Sequence, residues 1–515
     1  MNKTAWRGSL GLVCLAWLMG CGDLGEPEPA RQRADRLDSE ELVRVTRATR
    51  FHTSAGVIER GDDPAVETPE VLLHDGADFT RIAGTAVPEG GWLFAGVPRT
   101  EYYLRTGRSF ILTSARHVEL GSQRLGRPDA VYSSVDEVPL HLRLHGLSPW
   151  TPATSDSQTG ARLQVVSAEV DVAGEVTGLD RISAGVTSIV TEHAQTYSTR
   201  GVGFASFEAG RGDRLYVNQL GEFIAGALPD GARLGYSALE RSVQMEPFDY
   251  RPGWFDPMLA AGWLEPLEMR EFLLDWRLSE FARWVPDAHS RAEIRGPSFK
   301  VMPAAHGLEE GWIGSSGDLL WLNLPQRTRQ DFTGRLKFGN PYPRSWGVAV
   351  EVRFPYSSRE WSPRAPWYML TLGGGYTARE TLEDILAGPV LPKVSPPRWL
   401  RIDGERADPP PQVGSRTPWL SWTPPELGSP TAYQVTVWKL AEGVTLMATT
   451  GSLLVPGTVR EVRLPPGLLE PGSISYVTVA AIDAPHLDVE QAPFRTQSRL
   501  PYRSALAYSS FFIVP

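Results

Sequence analysis

The segment that decides the fold class lies at residues 419–438 and reads WLSWTPPELGSPTAYQVTVW. In its second half, Tyr433, Val435 and Val437 alternate with the polar residues Gln434 and Thr436. An apolar residue at every second position is typical of a β-strand with one buried face, because successive side chains point to opposite faces. The proline- and glycine-rich stretch before it indicates a connection from an earlier strand. The segment therefore predicts two β-strands that follow one another along the chain.

Similar strand patterns occur further along, at residues 469–481 and 507–514, and a proline-rich linker at 390–397 comes before them. Together, residues 393–515 resemble a fibronectin type III domain. The resemblance implies that Trp422 is buried on the second strand. It also implies that the hydroxyl of Tyr476 bonds back to the chain at the corner before the sixth strand. Domains of this family are binding or spacer modules, so the resemblance implies no active site here.

A second resemblance lies nearer the N-terminus, at residues 91–105. Gly91-Trp-Leu-Phe-Ala-Gly-Val-Pro98, followed by Glu101-Tyr-Tyr-Leu-Arg105, is similar to the seven-stranded sandwich found beside carboxypeptidases. The resemblance implies a β-sandwich over residues 41–135, with a tyrosine closing its core. In that family the module is a structural accessory without chemistry of its own.

The middle of the chain continues the β pattern. Leu140, Leu142 and Leu144 alternate with polar residues and predict a strand in a β-rich domain at 136–250. Nine of the 17 tryptophans fall within 251–392, which we interpret as a further β domain with short helices at 279–285 and 378–386. Fifty glycines and 43 prolines suit many short strands joined by turns. We expect a mainly β fold of several β-sandwich domains in series, with one or two short helices in the 251–392 segment.

The N-terminus has the features of a secretory signal. Lys3 and Arg7 precede an apolar run at residues 10–19, which is shorter than the roughly 20 residues that a membrane-spanning helix needs. The run ends in Leu18-Met-Gly-Cys21, which resembles the lipobox of bacterial lipoproteins. The resemblance implies that residues 1–20 are removed and that Cys21 receives a diacylglyceryl group. Residues 21–40 are polar and contain prolines, so we expect a flexible tether.

Cysteine usage bears on this interpretation. The two cysteines are Cys14, inside the predicted signal, and Cys21, so the mature chain would keep one thiol at its tip. The alternative is an ordinary cleaved signal with a chance cysteine. If the lipobox interpretation holds, the lipid makes the membrane a partner and the location is the bacterial cell envelope. Gly22-Asp23 favours the outer membrane.

The charge of the chain argues against nucleic-acid partners. The formal net charge is −9, and removing Lys3 and Arg7 with the signal makes it −11 because residues 1–20 contain no acidic residue. A net acidic body has no general attraction for phosphate backbones.

No motif in the sequence predicts catalytic, cofactor or metal chemistry. His141 and His145 are the closest histidine pair, but on a strand at about 3.3 Å per residue they stand too far apart for one metal ion. Gly314-Ser-Ser-Gly317 lacks the spacing of a nucleophile elbow and predicts a turn. We therefore predict no catalytic residue, no cofactor and no metal ligand.

Three further motifs have both a functional and a simpler structural explanation. Arg211-Gly-Asp213 matches an adhesion tripeptide, but a match of three residues arises easily by chance. Asp62-Asp63 and the stretch from Asp483 to Glu490 could offer oxygen ligands to calcium, although their spacing fits no defined loop. Solvated turns are the favoured interpretation. The tryptophans of 251–392 could stack on sugar rings, but core packing is favoured.

Two functional hypotheses remain. The favoured one is a lipid-anchored, non-catalytic envelope protein that binds or scaffolds surface components, with protein or polysaccharide partners. The alternative is an envelope polysaccharide hydrolase in which the fold brings together a carboxylate pair, such as Glu309 or Glu310 with Asp318. A component of a secretion or assembly complex is a third possibility.

Overall fold

The computed structural model describes residues 41–63, 67–76, 78–88, 90–153, 160–197, 203–227, 231, 233–362, 367–441 and 447–515. The predicted signal peptide, the tether and Cys21 lie outside the described residues. Within the described ranges the chain is built almost entirely from β-strands arranged in several sheets, which confirms the mainly β fold class.

The first domain is a β-sandwich of short strands. Its strands are β1 (Val43–Thr46), β2 (Ala48–Thr53), β3 (Gly56–Gly61), β4 (Glu70–His74), β5 (Phe79–Ala83), β6 (Thr85–Ala86), β7 (Trp92–Phe94), β8 (Tyr102–Thr106), β9 (Ser109–Thr113), β10 (His117–Glu119) and β11 (Gln123–Leu125). One layer has the order β10-β1-β7-β6, and the facing layer has the order β5-β4-β8-β9. Trp92, Phe94 and Tyr102 fill the core between them. The Tyr102 hydroxyl donates a hydrogen bond to the carbonyl oxygen of Ala115 at 2.6 Å, so its one polar atom is satisfied.

The second domain is also a sandwich, and its core extends from Val135 to Leu264. Its strands are β12 (Glu137–His145), β13 (Arg162–Ser167), β14 (Val172–Thr177), β15 (Ser188–Tyr197), β16 (Tyr216–Ala227), β17 (Arg233–Gln244) and β18 (Met258–Trp263). Strand β12 lies between β15 and β18 and packs against the layer β14-β13-β16-β17. Leu140, Leu142 and Leu144 are fully buried, as their alternation predicts.

The third domain carries seven of the 17 tryptophans. Its strands are β19 (Glu265–Pro266), β20 (Met269–Trp276), β21 (Glu293–Ile294), β22 (Ser298–Ala304), β23 (Leu320–Asn323), β24 (Phe332–Gly339), β25 (Gly347–Trp361) and β26 (Met369–Thr381), with one-turn helices α1 (Leu278–Ala282), α2 (Val285–Ala288) and α3 (Leu382–Ile385). The main sheet has the order β23-β22-β25-β26. The antiparallel pair β20–β24 covers one of its faces, and Trp276 packs there against Phe299 with ring centroids 6.3 Å apart.

The predicted helix at 378–386 is largely wrong. Ala378 belongs to β26, where it pairs with both β25 and β34, and only the single turn of α3 follows Thr381. Strand pairing on both sides outweighs the helix propensity of this segment. The predicted helix at 279–285 forms in part, because α1 ends at Ala282 and α2 begins at Val285. Ser279 lies inside α1, where Asp331 accepts from its backbone N–H and its hydroxyl, and Pro286 belongs to the first turn of α2.

The fourth domain has two facing sheets. Its strands are β27 (Arg398–Ile402), β28 (Glu405–Arg406), β29 (Trp419–Thr423), β30 (Ala432–Leu440), β31 (Met447–Pro456), β32 (Glu461–Arg463), β33 (Ile474–Asp483), β34 (Tyr502–Tyr508) and β35 (Phe512–Ile513). One sheet contains β27-β29-β32, and the other has the order β31-β30-β33-β34. In immunoglobulin-like sandwiches the first, second and fifth strands lie in one sheet. That sheet faces a second one, which contains the third, sixth and seventh strands. Residues 393–515 form a fibronectin type III-like sandwich.

The predictions for Trp422 and Tyr476 in this domain have different outcomes. Trp422 is buried on β29 and packs on Tyr433 at 5.1 Å between ring centroids. Tyr476 is buried on β33, but its side chain reaches outside the domain, because the backbone of Gly373 in β26 is its hydrogen-bond partner. The predicted bond back to its own corner is therefore wrong. Burial raises the pKa of Tyr476, so its hydroxyl stays protonated.

The four domains join edge to edge. Strand β17 pairs with β23, β26 pairs with β34, and β31 pairs in parallel with β9, so one sheet of 22 strands runs through all of them. Both edges of the four-stranded sheet in the fibronectin type III-like domain are thereby covered. Exposed edges are the usual sites of unwanted strand pairing, so this arrangement leaves the domain closed to edge addition on that sheet.

Candidate binding clefts

A cleft of about 410 Å³ opens between the second and third domains. We call it the central cleft and define it by Arg162, Lys300, Asp318, Trp321, Glu351 and Arg353, which line it. Its volume lies in the lower part of the range of about 300–1,000 Å³ that is typical of small-molecule sites.

The strand register builds a row of polar side chains along one edge of this cleft. Trp321 of β23 lies opposite Lys300 of β22, Lys300 opposite Glu351 of β25, and Glu351 opposite Arg379 of β26. Neighbours that face each other across strands point to the same side of a sheet. The alternate positions Phe299 and Val352 are buried on the opposite face, in the core. The apolar core therefore fixes the spacing of the polar row.

The carboxylates of the central cleft contact cations. Lys300 Nζ lies 3.2 Å from Asp318 Oδ2. The carboxylate of Glu351 forms ion pairs with Arg353 Nε at 2.6 Å and with Arg379 Nε at 2.7 Å. Burial raises the pKa of Glu351, but the two arginines outweigh burial, so the pKa is lowered and the group is ionised at neutral pH.

Two cations lie over the ring of Trp321. The guanidinium carbon of Arg162 lies 4.9 Å from the ring centroid, and Lys300 Nζ lies 4.2 Å from it. Cation–π contacts of this kind hold both long side chains in place over the ring. The indole Nε1 of Trp321 is buried without a hydrogen-bond acceptor.

A second cleft of about 570 Å³ lies between the third and fourth domains. We call it the carboxylate-pair cleft, and Glu360, Trp361 and Asp408 line it. Beneath it, the buried Nε2 of His289 lies 3.6 Å from Glu360 Oε1 and 3.6 Å from Asp408 Oδ1. The fold thus brings two carboxylates together around one imidazole.

Both carboxylates of this pair are stabilised in the ionised form. Burial raises the pKa of Glu360, but the nearby His289 and the hydrogen bonds from Ser510 and the backbone of Phe511 outweigh it and lower the pKa. Asp408 behaves in the same way, because bonds from Ser290 overcome the effect of burial. Neither group therefore suits the role of a general acid, which needs a raised pKa.

The serine beside His289 is not arranged as a nucleophile. Ser510 Oγ lies 3.3 Å from His289 Nε2, but it donates its proton to Glu360 Oε1 at 2.7 Å. His289 Nδ1 accepts from the backbone N–H of Arg291 at 3.1 Å, so the proton of the neutral ring resides on Nε2. A ring protonated there cannot accept the serine proton.

The carboxylate pair named from the sequence does not form. Glu310 contacts Arg50 at 3.0 Å and Arg499 at 2.9 Å, in a cluster that joins the first, third and fourth domains. Glu309 is exposed, whereas Asp318 lies in the central cleft with Lys300. Glu360 and Asp408, which sequence spacing did not indicate, are the pair that the fold assembles.

The other sequence motifs serve structural roles. His145 stacks on Trp263, with ring centroids 6.1 Å apart, on the exposed face of β12. Ser316 of the Gly314–Gly317 turn is buried. Asp213 is fully buried and bonded by Arg127, so it cannot present an adhesion tripeptide to a receptor.

In the acidic loops, other side chains of the protein donate hydrogen bonds to the carboxylates. The Asp62 carboxylate accepts from Thr49, Asp483 accepts from Arg503, and Glu490 accepts from Ser114. Among the described residues, no group of three or more His, Cys, Asp or Glu side chains could hold a metal ion. In the same ranges, no helix is both long and apolar enough to cross a membrane.

The tryptophans of residues 251–392 divide between core and surface. Trp276 and Trp346 are buried, in agreement with core packing. Trp254, Trp361 and Trp367 are 60% exposed or more, so core packing does not account for them.

The polar row of the central cleft was not predicted from the sequence. Its signal was present, since Lys300 and Glu351 each lie between two apolar residues on a strand pattern. Alternation shows which residues share a face of one strand, but it does not show which strands are neighbours.

Comparison with known proteins adds little. No protein-family model matches the chain, and no curated protein matches it. Among solved structures it is similar to the chicken CNTN1 FN1–FN3 domains, with 11% sequence identity over 72% of this chain and 99% of that chain and a TM-score of 0.15. A TM-score of that size does not establish a shared arrangement. The fibronectin type III-like assignment of residues 393–515 therefore rests on strand order.

Proposed function

We propose that this chain is a lipid-anchored, non-catalytic protein of the bacterial cell envelope that binds or scaffolds surface components through its β-sandwich domains. The observation that carries the proposal is the edge-to-edge pairing of β17 with β23, β26 with β34 and β31 with β9. These ladders hold clefts between domains at fixed geometry. A preorganised cleft built on strands is suited to binding.

The envelope part of the proposal is supported by the N-terminal sequence. Leu18-Met-Gly-Cys21 follows a short apolar run, and Cys21 is the one cysteine outside the predicted signal. Acyl chains on this sulfur would attach the protein stably, because each buried methylene contributes about 0.8 kcal/mol. Residues 21–40 would then hold the body away from the bilayer, with the outer membrane favoured.

The non-catalytic part is supported by the electrostatics of both clefts. Glu351 in the central cleft and Glu360 and Asp408 in the carboxylate-pair cleft all have lowered pKa values. Hydrolysis of a glycosidic bond needs one carboxyl group that is protonated near neutral pH. Ionised, cation-paired carboxylates instead suit ligand recognition.

A polysaccharide hydrolase is the second candidate, favoured by one observation. Glu360 and Asp408 each approach the same imidazole nitrogen at 3.6 Å, beside the exposed Trp361. Their separation therefore falls within or below the span of roughly 5–9.5 Å that glycosidases use. Their lowered pKa values weigh against this role.

Metabolic labelling with an alkyne fatty acid tests the proposal. We expect the full-length chain, expressed in a bacterium, to carry the label and to sediment with membranes. Cys21→Ser should lose both properties, because no other thiol follows the signal. Cys14→Ser is the matched control and should keep them. A labelled Cys21→Ser variant, or a wild-type chain without label, would disprove the anchor.

A further inference from the structure

Strand β18 is an open sheet edge that lacks the usual protection. It pairs in parallel with β12, and within the described ranges it pairs with no other strand. Proteins usually protect such edges with charged residues or prolines, because the free N–H and C=O groups otherwise recruit another strand. Strand β18 reads Met-Leu-Ala-Ala-Gly-Trp and contains neither.

The other open edges of the described chain differ from β18 in this respect. The strands of three or more residues that pair with another strand on one side only, apart from β18, each contain at least one charged residue; they are β3, β5, β10, β11, β20, β24 and β32. An edge without charge or proline is suited to pairing with a further strand.

The outward side chains of β18 are apolar. Met258 and Ala260 are fully buried, so Leu259, Ala261 and Trp263 lie on the outer face. Leu259 is 46% exposed and Trp263 is 62% exposed. The same edge therefore combines free backbone groups with exposed apolar side chains.

Two aromatic residues extend this apolar surface beyond the strand. Trp254 and Phe255, in the loop just before β18, are 69% and 92% exposed. The hydroxyl of Tyr250 donates to the carbonyl oxygen of Asp256 at 2.9 Å, which ties this loop to the second domain. Contiguous exposed apolar surface of this kind marks sites of protein association.

The order of residues along β18 fits a second copy of the same strand. In an antiparallel pairing centred on Ala261, this residue lies opposite Ala261 of the second copy, and Leu259 lies opposite Trp263 of the second copy. Residues directly opposite on one face contact each other, so the twofold axis produces two Leu–Trp contacts around a pair of small residues. Twofold dimers are the commonest closed assemblies.

The neighbouring residues are compatible with this pairing. Arg143 of β12 lies opposite Ala261, one strand in from the edge. The two copies of Arg143 would be three strand spacings apart, about 14 Å, so salt screens their repulsion. Antiparallel pairing also brings the loop before β18 of one copy beside the segment after β18 of the other. Trp254 and Phe255 would thereby gain cover.

From these features we infer that β18 pairs antiparallel with β18 of a second copy of this chain. The resulting symmetric dimer continues the sheet β15-β12-β18 across a twofold axis. The chain already joins its own domains by pairing strand edges, at β17–β23, β26–β34 and β31–β9. The inference goes beyond the proposed function and does not depend on a lipid at Cys21.

Disulfide crosslinking of the full-length chain in bacterial cells tests the pairing and its register. We expect Ala261→Cys to give a covalent dimer on a non-reducing gel, because the Cα atoms of directly opposite residues are about 4.5–5.5 Å apart, within reach of a disulfide. Leu259→Cys is the matched control. It is on the same face and exposed, but the two Leu259 positions are offset by four residues, about 13 Å along the strands, and should not crosslink.

The wild type, whose cysteines are Cys14 and Cys21, is the blank for this experiment. A dimer that it also forms is subtracted. Thermal unfolding of each variant establishes that it is folded.

A charge exchange at Ala261 tests the twofold axis independently. In sedimentation equilibrium of the full-length chain in detergent, Ala261→Lys and Ala261→Glu should each weaken dimerisation by about fivefold or more, because like charges then lie directly opposite. An equimolar mixture of the two variants should dimerise more tightly than either alone. Val190→Lys is the control, because Val190 is 69% exposed in the same row of the sheet but two strands from the edge.

Three outcomes would overturn the inference: crosslinking of Leu259→Cys as efficient as that of Ala261→Cys, a mixture of the Lys and Glu variants that associates no more tightly than either alone, or a wild-type chain that stays monomeric throughout the sedimentation series. A crosslink from Ala261→Cys to a different protein would reject a second copy as the occupant of this edge. Equal weakening by Val190→Lys and Ala261→Lys would reject the strand edge as the contact.

Discussion

Arg503 of β34 donates through Nε to Oε1 of Glu380 in β26 at 2.6 Å, across the boundary between the third and fourth domains. Its Nη1 also donates to Oδ2 of Asp483 in β33 at 3.0 Å. Arg503 and Glu380 are 17% and 7% exposed. One largely buried cation therefore joins carboxylates from both domains beside the β26–β34 ladder.

We predict that Glu380→Gln destabilises this boundary by about 2 kcal/mol, because it leaves the buried Arg503 with one carboxylate instead of two. Thermal unfolding and limited proteolysis at the boundary measure the effect. Glu383→Gln is the control, since Glu383 is 67% exposed in a surface pair with Arg270 and should change stability little. Equal effects of both substitutions would show that burial of the pair is unimportant.

The contact between the first and fourth domains depends on a glycine. A Cβ atom at Gly451 would overlap the carbonyl oxygen of Arg108, which accepts from Ser452 at the start of the β31–β9 pairing. Gly451→Val should therefore separate the two strands at a cost of about 1–3 kcal/mol, as overpacking typically does.

Hydrogen exchange of the β9 and β31 amides measures this separation, and we expect faster exchange in the Gly451→Val variant. Gly414→Val provides the comparison, because a Cβ at Gly414 meets nothing within 4 Å. Unchanged protection of β9 in Gly451→Val would mean that this close approach does not hold the domains together.

Glu351 makes the stability of the third domain depend on pH. Its folded pKa lies below the ordinary value of 4.5, because Arg379 and Arg353 outweigh the effect of burial. A group with a depressed folded pKa contributes its full stability above the unfolded pKa, and that contribution is lost as pH falls through the folded pKa. The wild type should lose stability on acidification below about 4.5 more steeply than Glu351→Gln. Parallel denaturation curves from pH 6 to pH 3 would contradict this.

The carboxylate-pair cleft should not catalyse hydrolysis. We expect no turnover in a broad screen of polysaccharide substrates, because Glu360 and Asp408 are both held ionised. If turnover is observed, Glu360→Gln and Asp408→Asn decide its origin, with Asp256→Asn as a control outside this cleft. Activity that disappears in either cleft variant but not in the control would establish the hydrolase alternative.

Local patterns predicted the strands well where a strand has one buried face. Leu140, Leu142 and Leu144 on β12 are examples, because their alternation comes directly from one sheet facing a core. The pattern failed at Ala378, because this segment of helix-forming residues lies between β25 and β34 in the sheet and pairs with both. Pairing partners distant along the chain decided that segment.

The candidate sites were less predictable for the same reason. Lys300, Glu351 and Arg379 meet through strand register, and Glu360 meets Asp408 through the approach of two domains. None of these pairs has a characteristic sequence spacing. The sequence could identify them only as polar residues on strands.

The amino-acid sequence by itself determined the mainly β class, the fibronectin type III-like pattern of residues 393–515 and the prediction of a lipid on Cys21, because each depends on neighbouring residues. The tertiary structure alone decided that the sheets join edge to edge and that cations from separate strands face one cleft. Hydrogen bonds between strand edges are made by the backbone, which is the same for every sequence. The choice of partner edge therefore leaves almost no trace in the order of side chains.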